Sequence, residues 1–481
     1  MGGLSEPVHT RAGELTSFVP TTTLPLPLRS SVRGIHWPAL PEAAAAQVLA
    51  QLFQLDASQW LSRDELERLQ ARQLSELVRF AVGTSEFYRH AVAEAGVNPE
   101  GPWTPLTLSR LPLLSRRALQ QSASSIHSRL PPKSHGELKV VETSGSSGEP
   151  VRVKHTGITD LRWLALNMRE HLWHRRDVTQ TLVAIRPHLS ALDDETIARS
   201  RGWGQPVTLF YETGPAYTQS IRLDVREQAR WVLERDPGYL LTFPTNLAGL
   251  IDEFDRLGRQ PKSLLQVRTV GETVSNELRE RCQARLGVPI VDAYSSQEVG
   301  AIAAACPESG LYHVNAEYLI VEVLDEAGLP CPPGKVGRVV ITDLLNFATP
   351  LIRYDIRDYA EVGPECPCGR GLPTLRCIVG RERNMLRLPT GARFWAFVGA
   401  RRFEEVAEVL QFQVIQPSLE KLEVRLVVAE GKLTEEQQAR LRSIVRETTG
   451  YPFEIEFTIF PDELPRGRGG KFEEFICLVQ Q

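Results

Sequence analysis

The eight residues Thr143-Ser-Gly-Ser-Ser-Gly-Glu-Pro150 hold two glycines and four hydroxyl side chains. Glycine lets a backbone approach a phosphate closely, and the hydroxyls and free N–H groups can donate to it. No Gly-Lys-Ser/Thr follows, so this is not a Walker loop. On these residues alone the stretch is either an anion cradle or a polar surface loop. Further along, Val291-Asp-Ala-Tyr-Ser-Ser-Gln-Glu298 puts an aromatic and then an acid at the end of an apolar run. Tyr294 could stack on a nucleobase, and Glu298 could bind Mg²⁺ beside phosphates. Tyr294 could equally be a core aromatic. Pro350-Leu-Ile-Arg-Tyr-Asp-Ile-Arg-Asp358 gathers acids and arginines behind another strand, where Asp358 could also simply cap a turn. Near the C-terminus, Pro465-Arg-Gly-Arg-Gly-Gly-Lys471 is a basic, glycine-rich loop whose lysine could offset charge developing at a phosphate.

A second group of residues suggests a metal. Cys306 and His313 are close in sequence, and Cys366 and Cys368 form a Cys-Pro-Cys pair. Three thiols and one imidazole suit a closed tetrahedral Zn²⁺ site. The spacing is not that of a standard finger, and scattered buried cysteines are the alternative. Cys377 is a spare donor; Cys282, Cys331 and Cys477 look unrelated.

The elements that must position these residues follow from periodicity. Residues 41–95 repeat apolar side chains at helical spacing, as in Leu66, Leu69, Leu74, Leu77, Val78 and Ala81. A short apolar run, Leu138 to Val141, precedes the glycine–serine loop. From there to Asp292 apolar runs alternate with helical stretches such as Ser275–Leu286, which predicts an α/β fold. The expected strands are Leu182–Ile185, Val207–Phe210, Tyr239–Thr242, Val267–Val270 and Ile290–Ala293. Residues 317–324 and 336–343 add a β-rich subdomain. After Gly380 the pattern becomes α+β: a helix over Arg401–Leu410, strands at Gln411–Gln416 and Leu422–Val428, a helix over Glu435–Thr448 and a strand at Phe453–Phe460. The expected organisation is a mobile N-terminal arm over 1–33, a large domain over 34–380 and a small domain over 381–481 that carries Lys471.

The chain has 481 residues, a net charge of −4 and 24% charged residues. That gives no electrostatic case for nucleic acid. No apolar run is long enough for a membrane span, and the N-terminus lacks the features of a secretory signal. Seven cysteines argue against a disulfide framework, so a cytoplasmic protein is expected.

Read in order, the blocks T-S-G-S-S-G-E-P, G-E-T, Y-S-S-Q-E, Y-D-I-R-D, G-R and P-x-x-x-x-G-K resemble the adenylate-forming superfamily of acyl-CoA synthetases, adenylation domains and luciferases. Leu77-Val-Arg-Phe-Ala, Phe87-Tyr-Arg, Pro350-Leu-Ile-Arg-Tyr-Asp-Ile, Cys366-Pro-Cys-Gly-Arg and Phe412-Gln-Val-Ile-Gln look like phenylacetate–CoA ligases and the CapK-like proteins of polysaccharide gene clusters. The resemblance implies a large α/β domain and a small mobile α+β domain. It implies that ATP and a carboxylic acid, compact or aromatic, form an acyl-adenylate, and that a thiol then takes the acyl group. CoA and the phosphopantetheine of an acyl or peptidyl carrier protein offer the same thiol; an amine acceptor would make an amide ligase.

By the same resemblance, Thr143, Ser144, Gly145, Ser146, Ser147 and Gly148 hold phosphates. Gly271 and Glu272 border adenine, Tyr294 stacks on it, and Gln297 faces the phosphates. Glu298 binds Mg²⁺, Asp358 takes the ribose hydroxyls, and Arg381 assists near ribose or phosphate. Lys471 bridges the carboxylate and the α-phosphate. Tyr239, Phe243 and Pro244 are wall residues for the acid, or ordinary packing at strand ends. A structural zinc on Cys306, His313, Cys366 and Cys368 also fits some ligases of that group. Three departures stand out. Gln297 replaces a hydroxyl residue, Arg357 replaces a glycine, and Arg383 and Asn384 replace acids at the expected hinge. A nucleotide-binding homologue without turnover is the reading from another class.

Overall fold

The computed structural model describes residues 24–25, 27–143, 150–187, 198–200, 202–395, 402–403, 405–466 and 471–479. Ser144 to Gly148 of the glycine–serine loop and most of the 1–33 arm lie outside the described residues. The arm's described end is attached: the Arg29 N–H donates to the Phe210 carbonyl at 2.6 Å.

Helices open the described chain, at Ala43–Ser58, Arg63–Thr84 and Glu86–Glu94. The second starts at a capping box in which Ser62 and Glu65 satisfy each other's backbone N–H groups. Its Leu74, Leu77, Val78 and Ala81 face a large shared core that also holds Tyr294, Tyr354 and Ile356.

One twelve-stranded sheet carries the site. Its first half is the α/β part, where Ala216–Ser220, Leu182–Arg186, Tyr239–Thr242, Gln266–Thr269 and Ile290–Ser296 lie side by side and parallel. Helices Val225–Arg235, Pro244–Leu257 and Asn276–Leu286 pack an apolar cluster against it. Its second half is antiparallel, through Gly300–Ala305, Tyr312–Val314, Thr374–Arg381, Tyr354–Val362, Val336–Asp343 and Leu319–Leu324. Parallel strands point their carboxyl ends one way, and ligands bind beyond those ends.

A separate four-stranded sheet closes the chain, ordered Glu454–Phe460, Lys421–Val428, Val409–Ser418 and Phe475–Cys477. Helix Glu435–Thr449 buries Leu441, Ile444 and Val445 against it. This is the expected smaller α+β unit.

Two elements differ from expectation. Val207–Leu209 is a 3₁₀ turn rather than a strand, closed by Leu209 N–H to Pro206 C=O at 3.1 Å. A four-residue apolar run does not distinguish a buried turn from a strand. On the side of Leu182–Arg186 away from Tyr239–Thr242, the paired strand is the later Ala216–Ser220. The helix expected over Arg401–Leu410 ends early. Val406 and Ala407 N–H groups fold back on Phe403, and the strand begins at Val409. Phe403, Val406, Ala407 and Leu410 mimic helical spacing, but Leu410 is 57% exposed.

No helix among the described residues is long and apolar enough to cross a membrane.

Candidate active site

Strand Ile290–Ser296 ends in a turn in which Ser296 Oγ accepts from the Val299 N–H at 3.1 Å. Glu298, on that turn, is buried. Its carboxylate takes Arg116 Nη1 at 2.7 Å, with the Tyr354 hydroxyl 3.5 Å away. The other arm of the same guanidinium donates to Thr143 Oγ1 at 2.8 Å. Thr143 begins the glycine–serine loop, and its Oγ1 also accepts from Val151 N–H at 3.0 Å, closing the hairpin of Lys139–Glu142 and Arg152–His155. His155 Nε2 lies 3.0 Å from the Glu298 carbonyl. From behind, Arg162 clamps Asp343 at 2.5 and 3.0 Å and donates to the Val299 carbonyl at 2.8 Å. Thr143, the first residue of the expected phosphate loop, and the expected metal acid are thus joined through Arg116.

Arg116 and His155 were not among the residues singled out by sequence. A signal existed for Arg116. Ser115 caps helix Arg116–Gln121, and its first turn holds two arginines and no acid. The positive end of a helix disfavours cations there, so an arginine in that place needs another partner. Arg116→Met should lower stability by about 3–5 kcal/mol in metal-free buffer, because it leaves the Glu298 carboxylate buried and unpaired. Thermal denaturation with and without Mg²⁺ checks this: part of the loss should return when Mg²⁺ is added.

Asp358 lies on strand Tyr354–Val362, with three strands between it and Ile290–Ser296 in the same sheet. Its carboxylate accepts the Tyr294 hydroxyl at 2.8 Å and sits 3.4 Å from Arg381 Nε. Burial pushes the Asp358 carboxyl up, against the pull of Arg381 and the Tyr294 hydrogen bond. The tyrosine expected at adenine and the acid expected at ribose are therefore hydrogen-bonded to each other, and the Tyr294 ring belongs to the large core. Arg357 has φ +64, in the left-handed region. That geometry explains why a glycine suits the position, and the Arg357 N–H donating to Asp355 Oδ1 at 2.9 Å helps hold it. Arg353, with φ +51, is a structural clamp: its guanidinium binds the Ser109 and Leu111 carbonyls and Glu322.

Lys471 reaches this cleft from the smaller domain. Gly271 follows strand Gln266–Thr269 with φ +82, and a Cβ there would lie 2.9 Å from Phe243 Cε1 and 3.1 Å from Lys471 Cε. A larger residue would clash with the ring or displace the lysine. Burial and then Arg381 hold the Lys471 ammonium below its usual range, while Asp358, Glu272 and Glu473 act the other way. Glu272 faces the same loop, accepting from Thr245 N, Thr245 Oγ1 and Phe472 N. The neighbouring Glu474 is pushed up to about 7 by burial and by the carboxylates of Glu272 and Glu277.

Gln297 is exposed beside Glu298. Of the expected wall residues, Phe243 touches the Gly271 corner, and Pro244 begins helix Pro244–Leu257 next to it. Tyr239 is not brought to the cluster. It opens its strand at the far end, its hydroxyl accepting from the Asp177 N–H at 2.9 Å and its ring edge-on to Trp203.

Cys306, His313, Cys366 and Cys368 converge, their ligand atoms all within 4.8 Å of one another. Cys366 Sγ is 3.7 Å from Cys306 Sγ, and Cys368 Sγ is 3.3 Å from His313 Nε2. Zinc–sulfur bonds of ~2.3 Å in a tetrahedron put the sulfurs about 3.8 Å apart, so the donor set fits Zn²⁺. Burial and then Arg370 push His313 down to about 4, leaving a neutral imidazole. Cys377 lies elsewhere, beside Glu361.

No protein-family model matches the chain. It is 25% identical over 455 residues to the phenylacetate–coenzyme A ligase of Thermus thermophilus, covering 87% of this chain and 98% of that protein. To the phenylacetate–coenzyme A ligase of Escherichia coli it is 23% identical over 434 residues, covering 86% and 95%. Among solved structures, 2-hydroxyisobutyryl-CoA ligase in its postadenylation state superposes with a TM-score of 0.67 at 18% identity, covering 87% of this chain and 91% of that one. The same ligase in its thioesterification state, with CoA, gives 0.56 at 19% identity, again covering 87% and 91%.

The fold is that of the adenylate-forming ligases. Within that fold the chain is similar in sequence to the phenylacetate–CoA ligases of these two bacteria.

Proposed function

We propose that the chain activates a compact, preferentially aromatic, carboxylic acid as its acyl-adenylate and transfers the acyl group to the thiol of CoA. The observation that carries this reading is the entry of Lys471 into the cleft at Gly271, within the field of Asp358 and Arg381. In the first half-reaction a carboxylate oxygen bonds to the α-phosphorus of ATP, and the bond to pyrophosphate breaks. Two anions must meet, so the site has to neutralise charge and align the reactants. The Lys471 ammonium and the Arg381 guanidinium supply positive charge where the two approach. Thr143 starts the loop that would hold the phosphates. Glu298 would hold Mg²⁺, which neutralises phosphate charge when bound; Arg116 provides a cation for the same carboxylate in the absence of metal. In the second half-reaction the thiol sulfur bonds to the acyl carbon, AMP leaves, and the thiol proton is released.

Residues 34–380 and 381–481 would act as two bodies in this cycle, the second turning away to admit the thiol. Zn²⁺ on Cys306, His313, Cys366 and Cys368 would be structural, with no position left open for a reactant. It would tie the loop after strand Gly300–Ala305 to the segment after strand Tyr354–Val362. A carrier-protein phosphopantetheine would present the same thiol, so the acceptor is tested directly. Hydroxylamine traps acyl-adenylates as hydroxamates whatever the acceptor. A screen of aromatic, aliphatic, amino and sugar acids should give hydroxamate with compact aromatic acids. CoA should then outcompete free amines and carrier proteins for the adenylate. A signal confined to long aliphatic acids, or amide formed in preference to thioester, would contradict this reading.

A further inference from the structure

Glu272 lies on the larger domain and next to Gly271, yet both its carboxylate oxygens are committed to protein. Oε2 accepts the Thr245 N–H at 3.0 Å and the Thr245 hydroxyl at 2.8 Å. Oε1 accepts the N–H of Phe472, the residue after Lys471, at 2.6 Å. Arg466, on the other side of the lysine loop, lies 4.0 Å from Oε1 and donates to Thr245 Oγ1 at 3.2 Å. The Glu272 side chain is only 6% exposed. The described flanks of the lysine loop thus meet one corner of the larger domain: Phe472 is held by Glu272, and Arg466 by Thr245 with Glu272 beside it. On the far side Glu473 is gripped by Arg383 and by Asn384 Nδ2, which also donates to the Phe475 carbonyl at 2.6 Å.

We propose that Glu272 is a positioning residue for adenylation: it clasps the loop that presents Lys471 and leaves adenine only the local backbone to meet. The inference rests on the two half-reactions proposed above, and it predicts that the clasp serves the first and not the second. Thioester formation needs the lysine loop gone, so weakening the clasp should not slow it.

Glu272→Gln is the informative change. An amide offers one acceptor oxygen where the carboxylate offers two, so it cannot take both the Thr245 donors and the Phe472 N–H. With phenylacetate as the acid, ATP–pyrophosphate exchange should fall about 30-fold or more, mainly in kcat. Thioester formation from supplied phenylacetyl-adenylate and CoA should stay within about twofold of wild type. Trypsin cleavage between Arg466 and Lys471 should quicken about tenfold without any acid present. Equal loss in both half-reactions, or an unchanged cleavage rate, would overturn the clasp. A wild-type chain inert in both half-reactions would contradict the functional reading instead, and the cleavage rate would still decide the clasp.

Discussion

Lys471→Ala should reduce acid-dependent ATP–pyrophosphate exchange by about 10²–10³-fold, the size of effect seen when one preorganised electrostatic donor is removed from a reacting centre. The loss should fall on kcat. Lys471 approaches Gly271 and shares the cleft with Asp358 and Arg381, so its charge acts at the α-phosphorus, while the other phosphates would be held by the loop that Thr143 begins and by Glu298. Nucleotide binding, measured by calorimetry, should therefore survive within a few-fold. Thioester formation from a supplied adenylate should also survive, because the lysine acts only while phosphorus is attacked. An equal loss of binding and turnover would mean that Lys471 holds ATP rather than the transition state.

The second large effect concerns the cysteine cluster. Elemental analysis should find about one zinc per chain. Cys366→Ser should release it and lower stability by roughly 5 kcal/mol, a part of the ~10–16 kcal/mol that structural zinc contributes in small domains. At about 2 °C per kcal/mol for a chain of this size, the midpoint falls by roughly 10 °C. The reason is local. Cys306 and Cys366 bring their sulfurs to 3.7 Å, with Cys368 and His313 beside them, and their loops have little other apolar packing of their own. Metal-free protein of full stability would sink the assignment.

The sequence disclosed most of the fold because alternating apolar runs and helical stretches have distinct periods. Tyr239–Thr242 and Ile290–Ser296 are strands, and Glu435–Thr449 is a helix, as their spacing predicts. Val207–Leu209 and the stretch after Phe403 misled because a short run, or a single helical repeat of apolar residues, satisfies more than one structure. Glu298, Asp358, Arg381 and Lys471 were visible as ordered blocks, and the structure gathers Asp358, Arg381 and Lys471 around one cleft. Arg116 was harder to see because it is 182 residues from its partner Glu298, and only its odd place at a helix start gave it away. Glu272 was visible, but its partners were not: Phe472 lies 200 residues further on, and a contact between domains leaves no mark in local spacing.

On the function proposed here, this cleft makes an acyl-adenylate. Acid-dependent ATP–pyrophosphate exchange tests it most directly, because it reports the first half-reaction without any assumption about the acceptor. Wild-type protein with Mg²⁺ and ATP should exchange pyrophosphate when phenylacetate or a similar compact acid is added, and Lys471→Ala should not. Nucleotide binding with no exchange for any acid across a broad panel would contradict the account, and would leave a nucleotide-binding protein that keeps the fold without the reaction.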